Sequence, residues 1–173
     1  MNGDVPAFVV DVYLQPGKFY FGDSHTRIRT LLGSCVSITF WHPQRHIGGM
    51  CHYMLPSRNS TDKDQLNGKY ADEAVAMFMQ EIAAHKSKVK EYEVKIFGGG
   101  SMMKSLGRKA MAENIAERNV LAARRLVQEY GLTIKAESLG GMGYRQLAFE
   151  LWSGDVWSHN VQGVLNMDAR GVK

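Results

Sequence analysis

Arg29-Thr30-Leu31-Leu32-Gly33-Ser34-Cys35-Val36-Ser37-Ile38-Thr39-Phe40 is the stretch around which the rest of the chain arranges itself. From Cys35 onward, small or polar residues alternate with apolar ones, the period of a β-strand. Cys35, Ser37 and Thr39 share one face; Val36, Ile38 and Phe40 share the other. Gly33-Ser34 reads as a tight turn that delivers a thiol to the start of this strand. The apolar face is expected to anchor a core and the other face to be free to present the thiol and the hydroxyls. A second apolar run, Ile47 to Pro56, follows a short turn and carries His52. Alternation puts His52 on a face with Met50 and Met54, and Cys51 on the opposite face with Tyr53. Cys51 is therefore expected to be structural filling, and Cys35 to be the thiol that partners His52. A thiol and an imidazole on neighbouring strands are the minimal parts of a cysteine nucleophile and its base. A neutral His52 would take the Cys35 proton, and the imidazolium would hold the thiolate at neutral pH. The competing reading of the same residues is a small buried cysteine and a core histidine.

The 173 residues, 45% of them hydrophobic, suffice for one domain spanning 1–173, with residues 162–173 as a tail. No run of about 18 apolar residues is present, so a membrane span is not expected. The start, Met1-Asn2-Gly3-Asp4-Val5-Pro6, lacks the basic and apolar regions of a secretory signal, and Cys35 and Cys51 are expected to stay reduced. The net charge of +4, from 21 basic and 17 acidic residues, suits an acidic partner but is too diffuse to indicate nucleic acid.

Strands are expected over Ala7–Leu14, Phe19–Gly22, Cys35–Phe40 and Ile47–Met54, with Thr26–Leu32 leading into the Gly33-Ser34-Cys35 turn and His42–His46 as a hairpin loop. Polar, aperiodic Ser57–Lys69 reads as a surface loop. Ala74, Met77, Phe78 and Ile82 recur at helical spacing within an expected helix Tyr70–His85. A second helix, Asn114–Tyr130, places Ile115, Val120, Leu121, Ala122 and Leu126 on its apolar side. Further strands are expected at Glu93–Phe97, Leu132–Leu139, Gln146–Trp152 and Val156–His159. This order of elements implies an α+β fold, with helices packed outside a layered β core.

His42, His46 and His52 lack Cys-x-x-Cys or His-Glu-x-x-His spacing, so no metal site is expected. Gly98-Gly99-Gly100-Ser101 follows a strand but fails both the Walker and the Rossmann patterns; close backbone packing near the site is the expected use, and no cofactor is implied. Gly140-Gly141-Met142-Gly143-Tyr144-Arg145 is similar, with Arg145 a structural ion-pair partner or a substrate-steering cation.

Taken in order, Leu32-Gly33-Ser34-Cys35-Val36, Gly48 through Pro56, Lys95 through Gly100, Glu117-Arg118-Asn119-Val120 and Leu139 through Arg145 resemble the CheD family, the chemoreceptor glutamine deamidases of bacterial chemotaxis. The resemblance implies a cytoplasmic enzyme that hydrolyses side-chain amides of receptor glutamines to glutamate and releases ammonia. It puts the nucleophile at Cys35, the base at His52 and a third site residue at Thr30. It implies a fold like that of toxin-type cysteine deamidases, with no cofactor and no metal. Its implied partners are the cytoplasmic helices of chemoreceptors, as substrate, and a CheC-type phosphatase. Many members carry Asn or another residue where this chain has Cys51, which suggests an oxidative pairing with Cys35 that would switch the enzyme off. Two other functions fit the same residues. One is a non-catalytic adaptor using residues 57–69 and Met102-Met103 as its surface; the other is a receptor methylesterase with the same nucleophile.

Overall fold

The computed structural model describes residues 4–58, 65–101 and 109–161. The expected tail and the Met102-Met103 pair lie outside them. In chain order the elements are β1 (Val10–Tyr13), β2 (Phe19–Gly22), β3 (Thr26–Leu32), β4 (Val36–His42), β5 (Ile47–Cys51), α1 (Ala71–Ala84), a short 3-10 turn (Val89–Glu91), β6 (Glu93–Gly98), α2 (Lys109–Glu129), β7 (Ile134–Leu139), β8 (Tyr144–Glu150) and β9 (Asp155–Val161). The strands form two mixed sheets, one ordered β1-β3-β8-β9 and the other β2-β5-β4-β6-β7. Both helices pack on the five-stranded sheet. The α+β layering expected from the sequence is present, with the layers in the order helices, five-stranded sheet, four-stranded sheet.

Two cores follow from this order. Val36, Ile38 and Phe40 of β4 join Ala74, Phe78 and Ile82 of α1 and Ala123 and Leu126 of α2 between sheet and helices. Leu32, Met50, Phe97, Phe149 and Leu151 fill the space between the sheets. The 74-78-82 stripe of α1 repeats once per turn and therefore reaches the sheet along its whole length. Phe78 meets Phe40 at a ring separation of 4.4 Å. Asp72 and Glu73 lie in the first turn, where the helix dipole favours negative charge.

The expectation that one face of β4 is free of packing is corrected. Ser37 is 0% exposed and Thr39 1% exposed, because the four-stranded sheet covers that face. Small residues there let a second sheet approach closely. Thr39 Oγ1 donates to the Lys95 carbonyl at 3.5 Å, while Ser37 Oγ has no partner among the described residues. Other differences lie at element ends. β1 is shorter than expected, α2 begins earlier, and β8 starts at Tyr144 and stops at Glu150. Leu121 is exposed, although its apolar character suggested the packed side of α2. The expected surface loop is tied down at both described ends: buried Glu73 accepts from Arg58 Nε (2.9 Å) and from the Asn67 N–H (2.8 Å). Among the described residues, no helix is long and apolar enough to cross a membrane.

Candidate active site

The turn between β3 and β4 is held by its carbonyls. Gly100 N–H donates to Gly33 O and Gly99 N–H to Cys35 O, both at 2.9 Å. Asn119 Nδ2 donates to Ser34 O at 3.1 Å. The glycine run thus packs against the cysteine turn, as its sequence implied. A Cβ on Gly98, whose φ is +121°, would stand 2.3 Å from Cys35 O; one on Gly99 would stand 2.5 Å from Val120 Cγ2. Arg145 is buried and donates to Gly98 O and Gly140 O, both at 3.1 Å, so it ties the two glycine runs together through carbonyls. Among the described residues no carboxylate pairs with it, in place of the ion pair weighed from the sequence.

Strand register decides where His52 lies relative to Cys35. Val36 and Tyr53 exchange both backbone hydrogen bonds at 3.1 Å, and Thr39 pairs with Met50. The same register sets Ser37 opposite His52 and Cys35 opposite Met54. Residues facing each other across a ladder share a face, so Cys35 and His52 both project from the inter-sheet side as diagonal neighbours. Such neighbours have backbones about 7–8 Å apart, within reach of long side chains. Cys35 packs against the inter-sheet core and is half-buried; His52 is 1% exposed.

Cys51 belongs to the other face. It is 0% exposed within the helix-side core, and Ile38 N–H donates to its sulfur at 3.4 Å. Burial pushes its thiol up to about 12. Its role as structural filling agrees with the alternation. Both cysteines are free thiols on opposite sides of the sheet, so this geometry does not serve the oxidative pairing with Cys35.

Thr30 reaches His52 from β3. Its Oγ1 lies 2.7 Å from His52 Nδ1 and 2.7 Å from the Leu14 carbonyl oxygen. A hydroxyl has one proton, and a carbonyl only accepts. The Thr30 proton therefore goes to Leu14 O, and His52 Nδ1–H donates to Thr30. This fixes the tautomer and leaves Nε2 as the basic nitrogen. Burial pulls the His52 pKa to about 4, opposed by the neighbouring Leu14 carbonyl. Burial also pushes the Cys35 thiol above its ordinary range. Both shifts favour the neutral forms, a thiol and an imidazole, over the expected imidazolium–thiolate pair.

His42 and His46 do not join this site. His42 lies at the far end of β4 with Nε2 3.6 Å from Glu91, and His46 stacks on Trp41. Three contributors went unassigned in the sequence: the Leu14 carbonyl, Tyr53 and Asn119. Tyr53 Oη donates to the Asn119 backbone oxygen at 2.5 Å, and Asn119 is 0% exposed. Asn119 falls on the buried stripe Ala116-Asn119-Ala123-Leu126. A polar residue at helical spacing among core positions was the signal available for it.

A family model described as CheD chemotactic sensory transduction matches residues 54–160. The chain is 45% identical over 165 residues to a protein named probable chemoreceptor glutamine deamidase CheD from Pseudomonas fluorescens (strain SBW25), across 95% of this chain and 93% of that protein. It is 46% identical over 158 residues to the probable chemoreceptor glutamine deamidase CheD 3 of Dechloromonas aromatica (strain RCB), covering 91% of this chain and 92% of the relative. A similarly named CheD 1 from Leptospira interrogans is 42% identical over 158 residues, 88% of this chain and 93% of its own.

Proposed function

The chain belongs to the CheD family, and from that membership we propose that it is a chemoreceptor glutamine deamidase acting through Cys35, His52 and Thr30. Cys35 Sγ attacks the side-chain amide carbon of a receptor glutamine while His52 Nε2 takes the thiol proton. The tetrahedral oxyanion sits against backbone N–H groups of the cysteine turn. His52 returns the proton to the leaving nitrogen and ammonia departs, leaving a thioester. His52 then takes a proton from water, whose oxygen attacks the thioester carbon. Glutamate is released and the thiol is restored. Thr30 holds the imbalance of the ring nitrogens in the direction this sequence needs, with Nδ1 protonated and Nε2 free.

The observation that carries this reading is the Thr30 hydroxyl, whose proton is spent on Leu14 O while its oxygen accepts from His52. The substrate fits the charge: +4 on the enzyme favours an acidic receptor helix. Each turnover adds a carboxylate to that helix, where like charges at neighbouring positions repel. The reaction takes place in the cytoplasm, where the receptor's helical signalling region lies, and a CheC-type phosphatase is the regulatory partner that family membership suggests. The test is mass spectrometry of a receptor cytoplasmic fragment together with an ammonia assay. Amide-to-acid conversion is expected at defined glutamines and is expected to vanish with Cys35→Ala. Conversion that survives Cys35→Ala overturns the assignment.

A further inference from the structure

We propose that Asn119 is a positioning residue that aims the Cys35 N–H at the substrate side of the turn and so builds part of the oxyanion site. The inference rests on the deamidase reading and names a contributor to it that lies outside the Cys35, His52 and Thr30 set.

Asn119 sits on α2, behind the five-stranded sheet, and is 0% exposed. One Nδ2 proton goes to Ser34 O at 3.1 Å and the other to Met54 O at 2.8 Å. A single amide therefore bridges the peptide before the nucleophile and the segment two residues beyond His52. Oδ1 has no partner. The two carbonyl acceptors settle which way the amide points, because a flip would set Oδ1 against both of them. An apolar side chain would fill the same space without a buried orphan, so the bridge, not the packing, accounts for an asparagine here. Tyr53 Oη fixes the Asn119 backbone from the neighbouring strand through its 2.5 Å bond to the carbonyl.

The consequence follows from peptide geometry. In a planar trans peptide the N–H points opposite to the preceding C=O. Asn119 draws Ser34 C=O toward α2, so the Cys35 N–H faces away from the helices, toward the inter-sheet side. Cys35 packs on that same side. The donor and the sulfur are thus presented together, as stabilisation of a tetrahedral oxyanion requires.

The experiment measures kcat and KM for ammonia release by Asn119→Ala, alongside the rate of iodoacetamide alkylation at Cys35. Alkylation forms no oxyanion and reports only on the thiol. Loss of the aimed donor is expected to lower kcat by about 10²–10³, with KM and the alkylation rate each within about threefold of wild type. A folded Asn119→Ala with wild-type kcat overturns the proposal. So does a parallel fall in kcat and alkylation, which is the signature of a merely structural role. Tyr53→Phe is the second variant, in case Asn119→Ala does not fold. It removes one hydroxyl and is expected to lower kcat by about tenfold with alkylation unchanged; an unchanged kcat overturns the proposal. Cys35→Ala separates the two levels. Turnover surviving in that variant removes the deamidase reading and this inference with it, whereas a dead Cys35→Ala beside a fully active Asn119→Ala removes the positioning role alone.

Discussion

Cys35 and His52 lie where water is scarce, and scarcity of water penalises both a thiolate and an imidazolium. Burial raises the thiol and lowers the imidazole to about 4, so the proposed nucleophile is stored as a thiol and activated as the substrate arrives. Iodoacetamide alkylation of the free protein should therefore keep accelerating through the alkaline range, and a plateau reached by pH 7 would reveal a standing ion pair instead. Thr30 is the second residue whose role can be read quantitatively. Thr30→Val leaves both Leu14 O and His52 Nδ1–H without the partner they share. An unsatisfied buried group costs about 1–3 kcal/mol, equivalent to roughly 5- to 150-fold in kcat/KM if the transition state bears it. Thr30→Ser, which keeps the hydroxyl, should recover most of the loss, and full activity in Thr30→Val would remove the residue from the mechanism. Cys35 and His52 could be nominated from the sequence because a thiol and an imidazole declare their chemistry in the side chain, whereas Thr30 was nominated only through the family resemblance. The Leu14 carbonyl was not, since every residue carries one and only folding selects which is used.

At the scale of elements, the glycine run that ends β6 is what lets the cysteine turn close down on the sheet. Gly98 has a φ of +121°, and an added Cβ would meet Cys35 O at 2.3 Å. Gly98→Ala should cost about 1–3 kcal/mol from backbone strain alone, lowering Tm by roughly 2–12 °C in a chain of this size. The carbonyl that must give way belongs to the proposed nucleophile, so turnover should fall along with stability. Calorimetry paired with the ammonia assay checks both, and a variant retaining wild-type Tm and kcat would show that the turn tolerates the shift. Elements defined by long periodic runs, such as α1, were readable to within a residue at either end. β8 was displaced by two residues because Leu151 and Trp152 are apolar and buried yet lie in the turn to β9. Alternation cannot distinguish an apolar strand residue from an apolar turn residue packed under a sheet.

At the scale of the whole molecule, the second sheet is the feature that local patterning could not disclose. Ser37 and Thr39 are the residue types of a solvent-facing strand side, yet they are sealed by strands distant in sequence. That enclosure also buries His52, which ties the stability of the fold to pH. In the folded chain His52 titrates near 4, against an ordinary 6.5. Between these values the unfolded chain binds a proton that the folded chain refuses, so unfolding takes up protons and stability rises with pH across the window. Acidification from neutral pH toward 4 should remove about 3 kcal/mol through this one residue. Other groups titrate in the same range, so the wild type alone does not isolate the effect. His52→Gln has no proton to gain at that position, and the remaining groups act alike in both proteins. Denaturant unfolding at pH 7 and pH 4.5 should show wild type losing about 2–3 kcal/mol more than His52→Gln. Parallel losses in the two proteins would mean that His52 accepts its proton in the folded state, and the inter-sheet site would then be wetter than its packing implies.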